Sequence, residues 1–94
     1  MITVVWDKSA ARSFRRATRR NPAWKEAVRE TLEILVQDPF DSRLQSHKLK
    51  GKLSGSWACS AGYDLRIVFD FVKNSTTGDT EILLIDIGTH DEVY

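Results

Sequence analysis

The side chains of this sequence that could carry out a reaction form a small and scattered polar set. They are His47, Asp64, Arg66, His90 and Tyr94. A histidine can exchange a proton near neutral pH, and a carboxylate two residues from a guanidinium suggests a place where an anion is handled. The sequence has no phosphate-binding glycine loop, no Cys/His zinc spacing and no serine in a nucleophile elbow. From spacing alone, ordinary surface histidines and an exposed ion pair remain the simpler interpretation.

A metal centre is conceivable from His47, Asp64 and His90, because imidazole and carboxylate groups are common metal ligands. Arg66 and three lysines stand close to these residues in the sequence, and their positive charge would repel a cation. The lysines are Lys48, Lys50 and Lys52. We therefore predict no metal and no other cofactor.

The charge of the chain differs between its two halves, although the formal net charge is only +1. Residues 1–52 hold twelve Lys or Arg against six Asp or Glu, whereas residues 53–94 hold two against seven. Five arginines fall within nine residues with no acid among them, namely Arg12, Arg15, Arg16, Arg19 and Arg20. Such a run is often a solvated helix face, but its density favours a nucleic-acid partner.

A predicted strand over residues 64–71 has two unequal sides and organises the rest of the chain. Its apolar residues at 65, 67, 69 and 71 alternate, which predicts a side that faces the core. Asp64 and Arg66 lie on the other side, on a sheet face that a chain this short could leave uncovered.

The other elements follow from periodicity, caps and breaks. β-branched residues predict an edge strand at 2–6, and helical spacing predicts helices from 8 to 20 and from 22 or 23 to 37. Asp7 or Ser9 can cap the first helix, and Pro22 suits the first turn of the second. An exposed loop over 40–56, with a short extended piece at 49–53, precedes a strand at 56–61. Residues 62–63 are predicted as a turn and 73–79 as a polar hairpin loop.

The last predicted strand, over 81–87, is apolar on both sides, which indicates an interior position in the sheet. Its alternation predicts one face from residues 83, 85 and 87 and the other from 82, 84 and 86. The order of elements predicts a single α+β domain over residues 1–94. In it, an N-terminal strand and an antiparallel helical hairpin pack on one face of a small, mostly antiparallel β-sheet.

Cys59 is the only cysteine, which excludes an internal disulfide and fits a reducing compartment. The first residues show no basic leader before an apolar run, and no apolar stretch approaches the roughly 20 residues that cross a bilayer. We therefore expect a cytoplasmic protein that has no membrane partner.

Three segments together resemble the RelE superfamily of bacterial toxins, and most of all its YafQ-like branch of mRNA interferases. The segments are His47-Lys-Leu-Lys-Gly51, Asp64-Leu-Arg-Ile-Val-Phe69 preceded by Trp57, and Leu84-Ile-Asp-Ile-Gly-Thr-His90-Asp-Glu-Val-Tyr94. The resemblance implies a toxin of a type II toxin–antitoxin pair that enters the ribosome and cuts mRNA without a metal. It implies three partners: a cognate antitoxin, the mRNA and the ribosomal RNA. Binding to operator DNA through the antitoxin is compatible with it.

The resemblance also assigns roles to residues. It implies an active site of His47, Asp64 and His90, with Arg66 at a position where the wider superfamily often has an arginine. Tyr94 matches the terminal aromatic residue of the family. One position departs from the pattern, because this sequence has Ser60 where the branch has a histidine, four residues before the strand aspartate.

A mechanism can be formulated on that basis. Asp64 or His47 would be the base, and His90 the acid. Arg66 with Lys48 or Lys50 would stabilise charge on the phosphorus. We expect the substrate to bind at Lys48, Lys50, Lys52 and Tyr94, and ribosomal RNA to bind at Arg12, Arg15, Arg16, Arg19 and Arg20. Two alternatives remain open: a ParE-like toxin that poisons gyrase, and a catalytically degenerate homologue that acts only by binding its antitoxin.

Overall fold

The computed structural model describes residues 1–62 and 64–94, so the predicted turn at 62–63 lies partly outside the described residues, at Tyr63. Three helices and five strands are described, in the order β1 (Val4–Trp6), α1 (Lys8–Arg20), α2 (Ala23–Gln37), β2 (His47–Lys48), β3 (Trp57–Ser60), β4 (Leu65–Lys73), β5 (Thr80–Thr89) and α3 (His90–Val93). The sheet order is β1-β5-β4-β3-β2, in which only the β1–β5 pair is parallel. The predicted α+β architecture is confirmed, with β1 at an edge and β5 in the interior.

The bounds of the two long helices agree with the prediction. At the start of α1 the Asp7 carboxylate accepts a hydrogen bond from the Ser9 main-chain N–H at 3.1 Å, so Asp7 is the N-cap. The narrow apolar stripe of this helix lies on the sheet, with Ala10 and Ala17 buried and Phe14 packed against the core. Among the described residues, no helix has the length and apolar character that crossing a bilayer requires.

The core-facing side of β4 is also confirmed. Leu65, Ile67 and Phe69 are fully buried, and Phe71 packs against the same cluster. Val28 and Leu35 of α2 lie in that cluster, so the helical hairpin covers this face of the sheet. Burial of each large apolar side chain contributes about 1.5–3 kcal/mol, so β4 is a substantial source of core stability.

The predicted faces of β5 are wrong beyond its midpoint, because the strand contains a bulge. Val68 of β4 pairs with Asp86 and the adjacent Phe69 pairs with Leu84, so Ile85 is an extra residue. A bulge of one residue inverts the alternation that follows it. Ile87 therefore lies in the main core with Leu84, while Ile85 packs on the opposite face of the sheet.

The loop over 40–56 contains more structure than predicted, and its extended piece lies elsewhere. Short 3-10 helices form at Ser42–Leu44 and Gly51–Leu53, and the strand is β2, not residues 49–53. Gly51 has a φ of 72°, which favours glycine and turns the chain out of the extended conformation. His47, which the sequence placed in a loop, instead pairs with Ala58 at the edge of the sheet.

We expected the second face of the sheet to be uncovered, but in the structure part of it is covered. The last residues form α3, whose Val93 packs on Ala58 and Val68 in a small second cluster. Thr89 and Glu92 form a capping box at the start of this helix. The sequence contains the corresponding signature, Thr-x-x-Glu, at a position where we predicted no helix.

Candidate active site

Both histidines contact the terminal tyrosine, although they are 43 positions apart in the sequence. The Tyr94 hydroxyl lies 3.2 Å from Nε2 of His47. The rings of Tyr94 and His90 meet edge to face, with centroids 4.5 Å apart. β2 positions His47 and α3 positions His90, so the edge strand and the C-terminus meet at this point.

The hydrogen bonds of His47 define its neutral tautomer. Nδ1 lies 3.1 Å from the main-chain oxygen of Gln45, which can only accept. Nδ1 therefore carries a hydrogen, and in the neutral tautomer the lone pair on Nε2 accepts from the Tyr94 hydroxyl. Partial burial raises the pKa of Tyr94 above its ordinary value of 10.0, which the nearby Arg66 guanidinium only partly opposes. The phenol thus remains a hydrogen-bond donor at neutral pH.

Arg66 lies beneath this pair on the second face of the sheet. Its Nη1 donates to Oγ of Ser60 at 3.3 Å, and also to the main-chain oxygens of Gly62 and Leu65. Ser60 and Arg66 are cross-strand partners, which explains the contact. The serine that departs from the family pattern therefore orients the guanidinium.

Asp64 lies at the other end of α3, next to the first residue of that helix. The main-chain N–H of His90 donates to the main-chain oxygen of Asp64 at 3.1 Å, and its carboxylate Oδ1 lies 3.4 Å from the same nitrogen. The Asp64 residue is exposed, and its carboxylate contacts the His90 main chain.

The three predicted substrate lysines line one cavity beside the histidine. This cavity has a volume of about 530 Å³ and is bounded by His47, Lys48, Leu49, Lys50, Lys52, Leu53 and Tyr94. Its wall combines apolar leucine side chains with ammonium groups, a combination that suits a base and its phosphate. In the described part of the chain, no cluster of three or more His, Cys, Asp or Glu could hold a metal ion.

The arginines of α1 are all exposed, but they do not form a uniform set. Arg12 and Arg16 border a hollow whose floor includes Asp86. Arg15 and Arg19 border another, next to Thr18. Arg20 is instead engaged by Glu92, to which its Nη2 donates at 2.8 and 2.9 Å.

The sequence reasoning missed Glu92, which joins the helix that carries His90 to α1. Its carboxylate accepts hydrogen bonds from the Thr89 main-chain N–H and from the Arg20 side chain. These contacts hold the pKa of Glu92 at about 2, below the ordinary 4.5, with the Thr89 hydrogen bond as the largest cause. In the sequence, the capping-box signature indicates the contact of Glu92 with Thr89, and no signal indicates its contact with Arg20.

The family model for YafQ, a bacterial toxin of type II toxin–antitoxin systems, matches residues 2–94. The comparison with curated protein sequences gives no match. Among solved structures, YafQ from E. coli strain BL21(DE3) has a TM-score of 0.77 at 11% identity, covering 100% of this chain and 99% of that chain.

Two further structures are similar in fold. The E. coli DinJ–YafQ toxin–antitoxin complex gives a TM-score of 0.74 at 12% identity, covering 99% of this chain and 97% of that chain. A copper-bound mutant toxin from Helicobacter pylori gives 0.69 at 27% identity, with 100% of both chains covered. Because the family model spans nearly every residue, this chain belongs to the YafQ family of toxins of type II toxin–antitoxin systems.

Proposed function

We propose that this toxin is a ribosome-dependent endoribonuclease that cleaves mRNA through the RNA's own 2′-hydroxyl, without a metal. The observation that carries the proposal is the continuous contact from His47 through Tyr94 to His90, beside Arg66 and a cavity lined by lysines. Cleavage of this kind needs one group to accept a proton, one to donate a proton and positive charge between them. Residues of all three kinds lie around Tyr94.

His47 is the better base of the two candidates. His47 lines the lysine cavity, and its Nε2 carries a lone pair in the neutral tautomer, whereas the Asp64 carboxylate contacts the main chain at the N-terminus of α3. In the proposed reaction the 2′-hydroxyl displaces the Tyr94 hydroxyl from Nε2 and gives its proton to that nitrogen as the 2′-oxygen bonds to phosphorus. The bond from phosphorus to the 5′-oxygen then breaks, and His90 protonates the departing oxygen. The products carry a 2′,3′-cyclic phosphate and a 5′-hydroxyl.

The remaining residues handle charge and position. The phosphorus gains negative charge in the transition state, and Arg66 with Lys48 or Lys50 would stabilise it. Tyr94 is 43% exposed, which leaves a ring surface on which the target base can stack. Lys52 would extend the phosphate contacts at the rim of the cavity.

The partners follow from the same proposal. We expect the exposed arginines of α1 to bind ribosomal RNA phosphates and the toxin to act in the cytoplasm, where ribosomes are found. The DinJ–YafQ complex is a toxin bound to its antitoxin, and we propose that an antitoxin likewise binds this chain. Binding to operator DNA would take place through that antitoxin.

The test is translation in vitro with purified toxin, with 5′ ends of the mRNA mapped over time. We expect cleavage by the wild type in the presence of EDTA, and a loss of about 10²–10⁴-fold for His47→Ala and His90→Ala. Glu33→Gln, on the exposed face of α2, is the matched control and should cleave like the wild type. Intact mRNA with the wild type, or equal cleavage by His90→Ala, would remove the enzymatic proposal.

The two alternatives give different outcomes. A gyrase poison would inhibit supercoiling and induce the SOS response, and the histidine variants would retain that effect. A degenerate homologue would show no toxicity alone but would still bind its antitoxin tightly.

A further inference from the structure

The helix that carries His90 is a single turn of four residues, and Tyr94 follows it directly. So short a helix is not stable on its own, because nucleation costs more than its few hydrogen bonds return. The relative position of His90, Tyr94 and His47 therefore depends on contacts that hold α3 on the rest of the molecule.

The Glu92 carboxylate joins α3 to two other parts of the chain. Oε1 of Glu92 accepts from the Thr89 main-chain N–H at 2.9 Å, which caps the helix from within. The same carboxylate accepts from Nη2 of Arg20 at 2.8 Å through Oε1 and at 2.9 Å through Oε2. Glu92 thus joins α3 to the last residue of α1.

Gly88 provides the space for this carboxylate. A Cβ at this position would lie 3.2 Å from Oε1 of Glu92 and 3.3 Å from Cγ1 of Val93. The missing side chain lets both residues lie against the strand, and Val93 is buried there between α3 and the sheet. Because Gly88 has no side chain, α3 can pack closely against the end of β5.

We propose that Glu92, held by Arg20, is a positioning residue that fixes His90 and Tyr94 relative to His47. The inference rests on the proposed function and adds two residues that touch no substrate in it. It also changes the expected role of Arg20, which the sequence grouped with the arginines that bind ribosomal RNA. If Arg20 acts through Glu92, its loss affects the rate of the chemical step and not the binding of mRNA-programmed ribosomes.

The experiment is a double-mutant cycle with Glu92→Gln and Arg20→Gln. Glu92→Gln keeps a side-chain oxygen that can accept from the Thr89 N–H, but it removes the negative charge that pairs with Arg20. The matched control is Glu33→Gln, which removes the same charge from an exposed ion pair with Arg29 on α2. Two readouts are needed: kcat and KM for cleavage of mRNA on ribosomes, and the imidazole nitrogen resonances of His47 and His90 by NMR.

We expect Glu92→Gln to lower kcat about three- to tenfold with KM unchanged, since the pair is partly exposed and doubly hydrogen-bonded. Arg20→Gln should have the same effect, and the double variant should be no worse than either single variant. The imidazole resonances should shift in each variant except the control.

Two results would overturn the inference. One is a double variant whose loss of kcat equals the product of the two single losses, which would mean that Arg20 does not act through Glu92. The other is that the imidazole resonances of His47 and His90 in Glu92→Gln are the same as in the wild type. If the wild type cleaves no mRNA, the proposed function fails, while the NMR readout still decides whether Glu92 sets the geometry of the site.

Discussion

The hydroxyl of Tyr94 and the main-chain oxygen of Gln45 both contact the imidazole of His47, the proposed base. Replacing the hydroxyl in Tyr94→Phe removes the 3.2 Å hydrogen bond to Nε2 of His47 but keeps the ring that meets His90. Tyr94→Ala removes both. Comparing the two variants separates the role of the hydroxyl from the role of the ring.

The expected magnitudes follow from the two contacts. A hydrogen bond between uncharged side chains contributes about 0.5–1.5 kcal/mol, so the loss of one at a half-exposed site lowers kcat about fivefold. The edge-to-face ring pair contributes a similar amount, so Tyr94→Ala should be about thirtyfold slower than the wild type. Neither change removes a proton-transfer group, and both effects should be much smaller than that of His90→Ala.

The assay is single-turnover cleavage of a defined mRNA on stalled ribosomes, with toxin in excess. A suitable control is Phe40→Leu, which alters an exposed aromatic residue whose ring contacts are with Trp57 and Phe71 and with neither histidine. It should cleave at the wild-type rate. Thermal unfolding of each variant shows whether a slow rate reflects loss of fold.

Two outcomes would refute the reasoning. If Tyr94→Phe cleaves as fast as the wild type, the hydroxyl does not orient His47. If Tyr94→Phe is as slow as Tyr94→Ala, the ring contact with His90 contributes nothing.

Other contacts of the site and the core lead to further predictions. Because the folded-state pKa of Glu92 is about 2 against an ordinary 4.5, its ionised form stabilises the fold above pH 4.5, and this contribution is lost as the pH falls toward 2. The melting temperature of Glu92→Gln should therefore lie below that of the wild type at pH 7 and approach it near pH 2; a gap that is constant with pH would contradict this. Burial raises the pKa of Cys59 to about 12, so a thiol reagent at pH 8 should modify the protein only in denaturant, and fast labelling of the native fold would argue against it. Ser60→Ala removes one of the hydrogen bonds of Arg66 Nη1, the 3.3 Å contact with Oγ of Ser60, and should lower kcat about two- to fivefold without changing the melting temperature; an unchanged kcat would count against an orienting role.

The helices could be predicted from the sequence because their signals are local. Asp7 caps α1 one residue after β1, and Pro22 separates the two helices, so their bounds depend on a few neighbouring residues. The core face of β4 follows equally well from its alternation, since no bulge interrupts that strand. The residues of the site could be chosen by type and by resemblance. Their meeting could not be derived, because β2 and α3 each depend on partners that are distant in the sequence.

The bulge at Ile85 shifts the register of β5 by one residue, and this shift determines which face of the sheet the C-terminal residues reach. Without it, Gly88 would share a face with Leu84 and would lie under the helical hairpin. With it, Gly88 faces the same side as its cross-strand partner Arg66, and the chain that follows turns across that second face. The C-terminal helix therefore reaches Arg66 and His47 only because an extra residue inverts the strand. Alternation alone cannot reveal such an insertion, since a sequence that is apolar on both sides of the strand fits either register.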